Sequence, residues 1–171
     1  YCYAQAPGTV PAGPLRVRFC QTPVATSPAL GGLKTLNRLE QVLARGEWRD
    51  PSIGEGLMCD RAGSFVCGTA SNLFVVCNGQ LITPPVDAAG VRGIMRGVVL
   101  EAAAAAGIPA TERPVDTALL AAAEEVFMTN ALVGIAPVVD LAGRTLAIGA
   151  VTRRLRHALA ALGVVECAAP C

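Results

Sequence analysis

The chain has 171 residues, 53% of them hydrophobic and 16% charged, with a formal net charge of +1. That length suffices for one core of ordinary domain size, and a chain so close to neutral offers no basic field for nucleic acid or an anionic membrane. Charge is sparser than the usual fraction of about a quarter, so part of the surface is expected to be buried against another chain or domain.

Residues 1–14, rich in Pro and Gly, read as an irregular lead-in, and residues 15–171 as one domain. Alternation of apolar and basic side chains predicts a strand over 15–19. A loop rich in Pro, Ser, Thr and Gly follows over 23–32. Leu36, Leu39 and Leu43 recur at helical spacing, which predicts an amphipathic helix to about residue 45 with Lys34 in its first turn. Short strands are expected at 56–59, 64–66, 73–77 and 80–82, with Asn78-Gly79 as a tight hairpin turn. Ile94, Val98 and Ala102 share one face of a second helix that stops at Gly107. A strand at 111–115, a short helix at 117–123, buried strands at 125–129 and 135–139, a hairpin at Gly143-Arg144 and a helix over 151–162 complete an α+β arrangement. No internal repeat and no apolar run of membrane-spanning length is present.

Lys34 is the only lysine; the other thirteen basic residues are arginines. A composition that favours arginine retains lysine where arginine fails, and only lysine can lose its proton and attack a carbonyl. Lys34 is therefore a candidate covalent nucleophile, against the alternative of a chance surface lysine. At the first turn of a helix its neutral amine would be favoured by the dipole. The seven cysteines form no CxxC pair, and His157 is the only histidine, so the spacing gives no metal site. Reduced thiols in a cytoplasmic protein are the expectation.

Four segments then stand in order: Leu33-Lys34-Thr35-Leu36-Asn37, Gly68-Thr69-Ala70-Ser71-Asn72-Leu73-Phe74, Gly90-Val91-Arg92-Gly93-Ile94-Met95-Arg96, and Glu124-Glu125-Val126-Phe127-Met128-Thr129-Asn130 running on to Pro137-Val138. Together they resemble the class IV aminotransferase family, the pyridoxal-phosphate enzymes of the D-amino-acid and branched-chain aminotransferase fold. Within it, residues 37–43 are most similar to the 4-amino-4-deoxychorismate lyases, which release pyruvate to leave 4-aminobenzoate for folate synthesis. Aminotransferases usually carry other residues at Arg38, Glu40 and Gln41. A class IV aminotransferase acting on D- or branched-chain amino acids, and a non-catalytic relative of the fold, are the alternatives.

The resemblance implies the large C-terminal domain of that fold, without the small N-terminal domain, and a homodimer acting on a small amino substrate. It implies pyridoxal 5'-phosphate as cofactor, held covalently by Lys34, with its phosphate at the turn of Gly93, Ile94 and Met95. Ser71 and Asn72 would lie close to the ring, and Thr129, Asn130 and Ala131 would contact phosphate or substrate. Arg96 is either an anion contact or an ion-paired arginine. At Cys67 the family usually has a glutamate that keeps the pyridine nitrogen protonated. A thiol is a weak partner for it, and Glu55 lies too far along the chain to be expected as a substitute.

Overall fold

The computed structural model describes residues 13–168. Nearly all of the predicted lead-in, together with Cys2 and Cys171, lies outside them. The elements run β1 (Leu15–Phe19), α1 (Leu39–Arg45), β2 (Glu55–Cys59), β3 (Phe65–Gly68), β4 (Asn72–Cys77), β5 (Gln80–Thr83), α2 (Ile94–Ala105), β6 (Ala110–Glu112), α3 (Thr117–Ala122), β7 (Glu125–Asn130), β8 (Gly134–Leu141), β9 (Arg144–Thr145) and α4 (Ala150–Ala161), with a 3-10 turn at Val165–Cys167.

The strands hydrogen-bond in the order β3-β2-β1-β8-β7-β4-β5-β6, with β9 on β8, and β3 pairs with β4 as well. That extra pairing joins the two ends of β3-β2-β1-β8-β7-β4 and closes six strands into a barrel. β1 runs parallel to both β2 and β8, whereas β3, β4, β7 and β8 meet antiparallel. Asn78 and Gly79 take φ of 50° and 70° at the predicted hairpin, the left-handed pair that a tight turn between twisted strands requires.

β4 is buried on both faces, so its sequence is a continuous apolar run rather than an alternation. Its alternate side chains enter two cores. Leu73 and Val75 pack with Leu57, Val126, Met128 and Val138 in one. Phe74 and Val76 pack with Val99, Phe127, Leu155 and Leu159 in the other, under α2 and α4. The Phe74 and Phe127 rings stack there at 4.9 Å. A third, smaller core holds Cys20, Ala44, Met58, Val66 and Cys67 beneath α1.

Two helix expectations are corrected. The first helix begins at Leu39, not near Lys34: Gly32 bridges to Val91 and Arg38 donates back to Thr35 O and Leu33 O, which holds residues 33–38 out of helical geometry. Its leucines also face outward: Leu36 is 100% exposed, Leu39 69% and Leu43 56%, while Gln41 and Ala44 turn inward. In α2, Ala102 is buried and Val98 packs against the helix-side core as expected, but Ile94 is exposed, and Arg96, Val99 and Ala103 fill the other buried positions.

The N-cap of α4 is Gly149, which has no side chain with which to cap the helix. Buried Glu125 does so instead, accepting from Val151 N at 3.1 Å and Thr152 N at 2.7 Å. Glu125→Ala is expected to destabilise the protein by about 1–3 kcal/mol, because two helix-terminal donors lose their acceptor; urea unfolding measures this.

Candidate active site

Lys34 sits in an extended segment between β1 and α1 and is exposed. It forms no hydrogen bond or ion pair among the described residues, so its amine is chemically unengaged. The segment is fixed from two sides. Gly32 forms a parallel bridge with Val91, with Gly32 N donating to Gly90 O at 3.2 Å and Arg92 N to Gly32 O at 2.9 Å. Arg38 folds back so that its guanidinium donates to Thr35 O at 3.1 Å and Leu33 O at 3.5 Å, the carbonyls on either side of Lys34. Since the bridge is parallel, Lys34 and Gly93 each follow it by two residues and leave it in the same direction.

Gly93 is the N-cap of α2, and no side chain caps this helix end or places an acid in its first turn. The leading amides of any helix lack partners within it and attract anions. The contrast with α4 is informative: the end under Glu125 already has its carboxyl acceptor, and the end at Gly93 does not. Asn72 braces the α2 end. Its Nδ2 donates to Val91 O at 2.8 Å, and a Cβ at Gly93 would lie 2.2 Å from its Oδ1. Glycine is needed at 93 for that close approach.

Cross-strand register brings three expected residues into one row: Cys67 opposite Asn72, and Asn72 opposite Thr129. Cys67 is buried, and burial pushes its thiol up to about 12, with the Glu55 carboxyl adding to the effect. It remains a neutral thiol at ordinary pH. Thr129 is fully buried and its hydroxyl donates to Gly134 O at 2.6 Å. Asn130 Oδ1 accepts from Leu132 N and Val133 N, and its Nδ2 reaches Ala70 O at 3.1 Å. Thr129 and Asn130 thus shape the strand end and its loop, with Ala131 between them and Leu132. Ile94 and Met95 occupy the first turn of α2 as expected. Arg96 is buried and ion-paired with Glu112 at 2.6 Å, also donating to Pro84 O, so it points away from any anion at the turn.

Glu55, discounted on sequence distance, proves central. Its carboxyl oxygens accept from Gly56 N (2.9 Å), Thr69 N (3.1 Å), Thr69 Oγ1 (2.5 Å), Ala70 N (3.3 Å) and Ser71 Oγ (2.7 Å). It therefore holds the turn between β3 and β4, and Ser71 directs its hydroxyl to Glu55. Sequence carried no signal for this, because the pairing of β2 with β3 makes residues 55 and 69 neighbours. A cavity of about 760 Å³ opens beside this turn, and Gln41, Ser71 and Asn130 are among its walls. Among the described residues no cluster of His, Cys, Asp and Glu could hold a metal ion, and no helix is long and apolar enough to cross a membrane.

Comparison with known proteins gives a consistent result. Residues 1–141 match the profile of amino-transferase class IV. The chain is similar to the aminodeoxychorismate lyase of Vibrio harveyi, 33% identical over 83% of this chain and 54% of that protein. It is also similar to the branched-chain-amino-acid aminotransferase of Escherichia coli K12, 31% identical over 82% of this chain and 45% of that protein. Among solved structures, the 4-amino-4-deoxychorismate lyase of Pseudomonas aeruginosa superimposes with a TM-score of 0.83 at 45% identity, covering 85% of this chain and 54% of that one. The chain thus spans about half the length of the relatives it matches.

Gly93→Ala is expected to destabilise the protein by about 1–3 kcal/mol through collision with Asn72. Shortening the partner in the Asn72→Ser, Gly93→Ala double variant should recover part of that loss, giving a non-additive double-mutant cycle in urea; strict additivity would show that the two positions do not touch.

Proposed function

The chain belongs to the class IV aminotransferase family, and on that premise we propose that it forms the large-domain part of a pyridoxal-phosphate-dependent lyase converting 4-amino-4-deoxychorismate to 4-aminobenzoate and pyruvate. The observation that carries the cofactor reading is the bridge between Gly32 and Val91, which sends an unengaged amine and an uncapped helix end away from the same point. The lyase reading is favoured by the 45% identity to the Pseudomonas aeruginosa lyase and by the residues of 37–43. An aminotransferase of the branched-chain type is the second reading, favoured by the Escherichia coli relative.

In this proposal Lys34 would hold the cofactor, and its amine would serve to move protons at the substrate carbons. The amides of Ile94 and Met95 would hold the phosphate dianion, and Gly93 admits Asn72 to brace them. Asn72 and Thr129 would support the cofactor from the strand row, and Ser71, Asn130 and Ala131 would shape the rim of the site. When bound, pyridoxal phosphate supplies an electron sink for the bond that breaks. The chain's own groups fit the amine and phosphate ends of that cofactor. They differ at Cys67, where a neutral thiol stands in place of the family's usual glutamate, so this position holds no charge opposite a ring-nitrogen proton.

Leu36, Leu39, Val42 and Leu43 form an exposed apolar face beside Lys34. Burying it would stabilise an assembly by the hydrophobic effect, and we take a homodimer as the arrangement that does so. The five described cysteines are all free thiols, in keeping with a reducing compartment such as the cytoplasm.

Adding pyridoxal phosphate to the protein should give a visible absorbance band that borohydride traps on Lys34; Lys34→Ala should lose both, and a variant that keeps them removes Lys34 from the role. Formation of 4-aminobenzoate from aminodeoxychorismate, against keto-acid-dependent amino transfer, separates the two enzyme readings. Sedimentation equilibrium should give twice the 17.5 kDa chain mass, and Leu36→Glu with Leu39→Glu should return it to the single-chain value.

A further inference from the structure

Arg38 stands at the N-cap of α1, a place usually taken by a residue with a side-chain acceptor. Arginine carries donors only, so it cannot bond the first helical amides, and no side chain caps this helix end. Its guanidinium is not spent on charge either. None of the ion pairs among the described residues includes Arg38, and Glu40 in the first turn instead accepts from Ala25 N at 3.4 Å. A residue that breaks a local rule without local gain points to a use elsewhere.

That use lies behind it in the chain. Arg38 Nε donates to Thr35 O at 3.1 Å, and its Nη2 reaches Leu33 O at 3.5 Å. Between the Gly32–Val91 bridge and Leu39 the chain is neither helix nor strand, and Lys34 and Leu36 are exposed. Among the described residues, the bond from Arg38 to Thr35 O is the only hydrogen bond that reaches residues 34–37. The bridge fixes the chain before Lys34, and one rigid, planar donor fork ties the stretch on both sides of it.

We propose that Arg38 is a positioning residue for Lys34: by gripping the carbonyls that flank the lysine, it fixes the direction in which the amine leaves the backbone. The inference deepens the function proposed above and rests on it for the chemical use of that amine. A nucleophile already held in one direction gives up less freedom when it reacts. Arg38 acts through Lys34 and through the backbone alone. The uncapped start of α1 is the structural counterpart of that hold.

Lys34 is the only lysine, so endoproteinase Lys-C can cut the chain at one bond, between Lys34 and Thr35. Its rate on the native protein reads how readily that segment opens. Arg38→Ser removes both donors and supplies the acceptor that an N-cap favours, so its urea midpoint should match or exceed that of wild type. Lys-C should nonetheless cut Arg38→Ser about tenfold faster than wild type. The pyridoxal phosphate concentration that half-saturates borohydride-trapped attachment to Lys34 should rise about tenfold. Arg38→Gln, able to donate to one of the two carbonyls, should fall between. An unchanged cleavage rate overturns the inference, and so does unchanged attachment. A urea midpoint that falls in step with both also overturns it, because Arg38 would then be a general support of the fold. If wild type attaches no pyridoxal phosphate, the cofactor reading above fails, and the Lys-C ratio alone upholds or overturns the hold of Arg38 on Lys34.

Discussion

The contact of Asn72 with the backbone of residues 91–93 is the point on which the arrangement depends. Asn72 lies in the middle of a cross-strand row, between Cys67 and Thr129, and is rigid because strands flank it on both sides. Its amide grips Val91 O, and Val91 in turn bridges to Gly32. The lysine segment, the barrel wall and the start of α2 are thereby referred to a single side chain. None of these pieces is held by its own local structure: the lysine segment is neither helix nor regular strand, and the end of α2 has no side-chain cap.

A second buried polar group, Glu55, works one layer away. It gathers the amides and hydroxyls of the turn that leads into Asn72, so the strand enters its row in a fixed register. Glu125 does comparable work under α4, where its carboxyl meets helix amides. Two buried acidic side chains would be destabilising if left alone. Each is surrounded by donors from chain segments remote in sequence, and each fixes where those segments meet.

The outward-facing leucines of α1 accord with the sparse charge of the sequence. The same helix that turns Leu39, Val42 and Leu43 to solvent turns Gln41 and Ala44 inward. Its hydrophobic periodicity is real, but it marks an exposed face, the one proposed above as a dimer contact, and not this chain's own core. Cys67 marks the other departure from ordinary expectation. Buried and uncharged, it leaves the ring end of the proposed cofactor site less polar than the phosphate end, and any protonation there has to be supported by groups other than its thiol.

Periodicity and turn chemistry determined most of the element list. Alternation marked β1, the Asn78-Gly79 pair marked the hairpin of β4 and β5, and Gly107, at φ 66°, marked the end of α2. These are local properties, readable because each depends on residues a few positions apart. Four motifs in order were likewise enough to assign the family, and a solitary lysine was enough to single out the amine. Other features arose only from tertiary structure. These were the start of α1, the outward turn of its leucines, the pairing of Arg96 with Glu112 and the convergence of five donors on Glu55. Each depends on which distant segments become neighbours in the folded chain, and a one-dimensional pattern carries no record of those meetings.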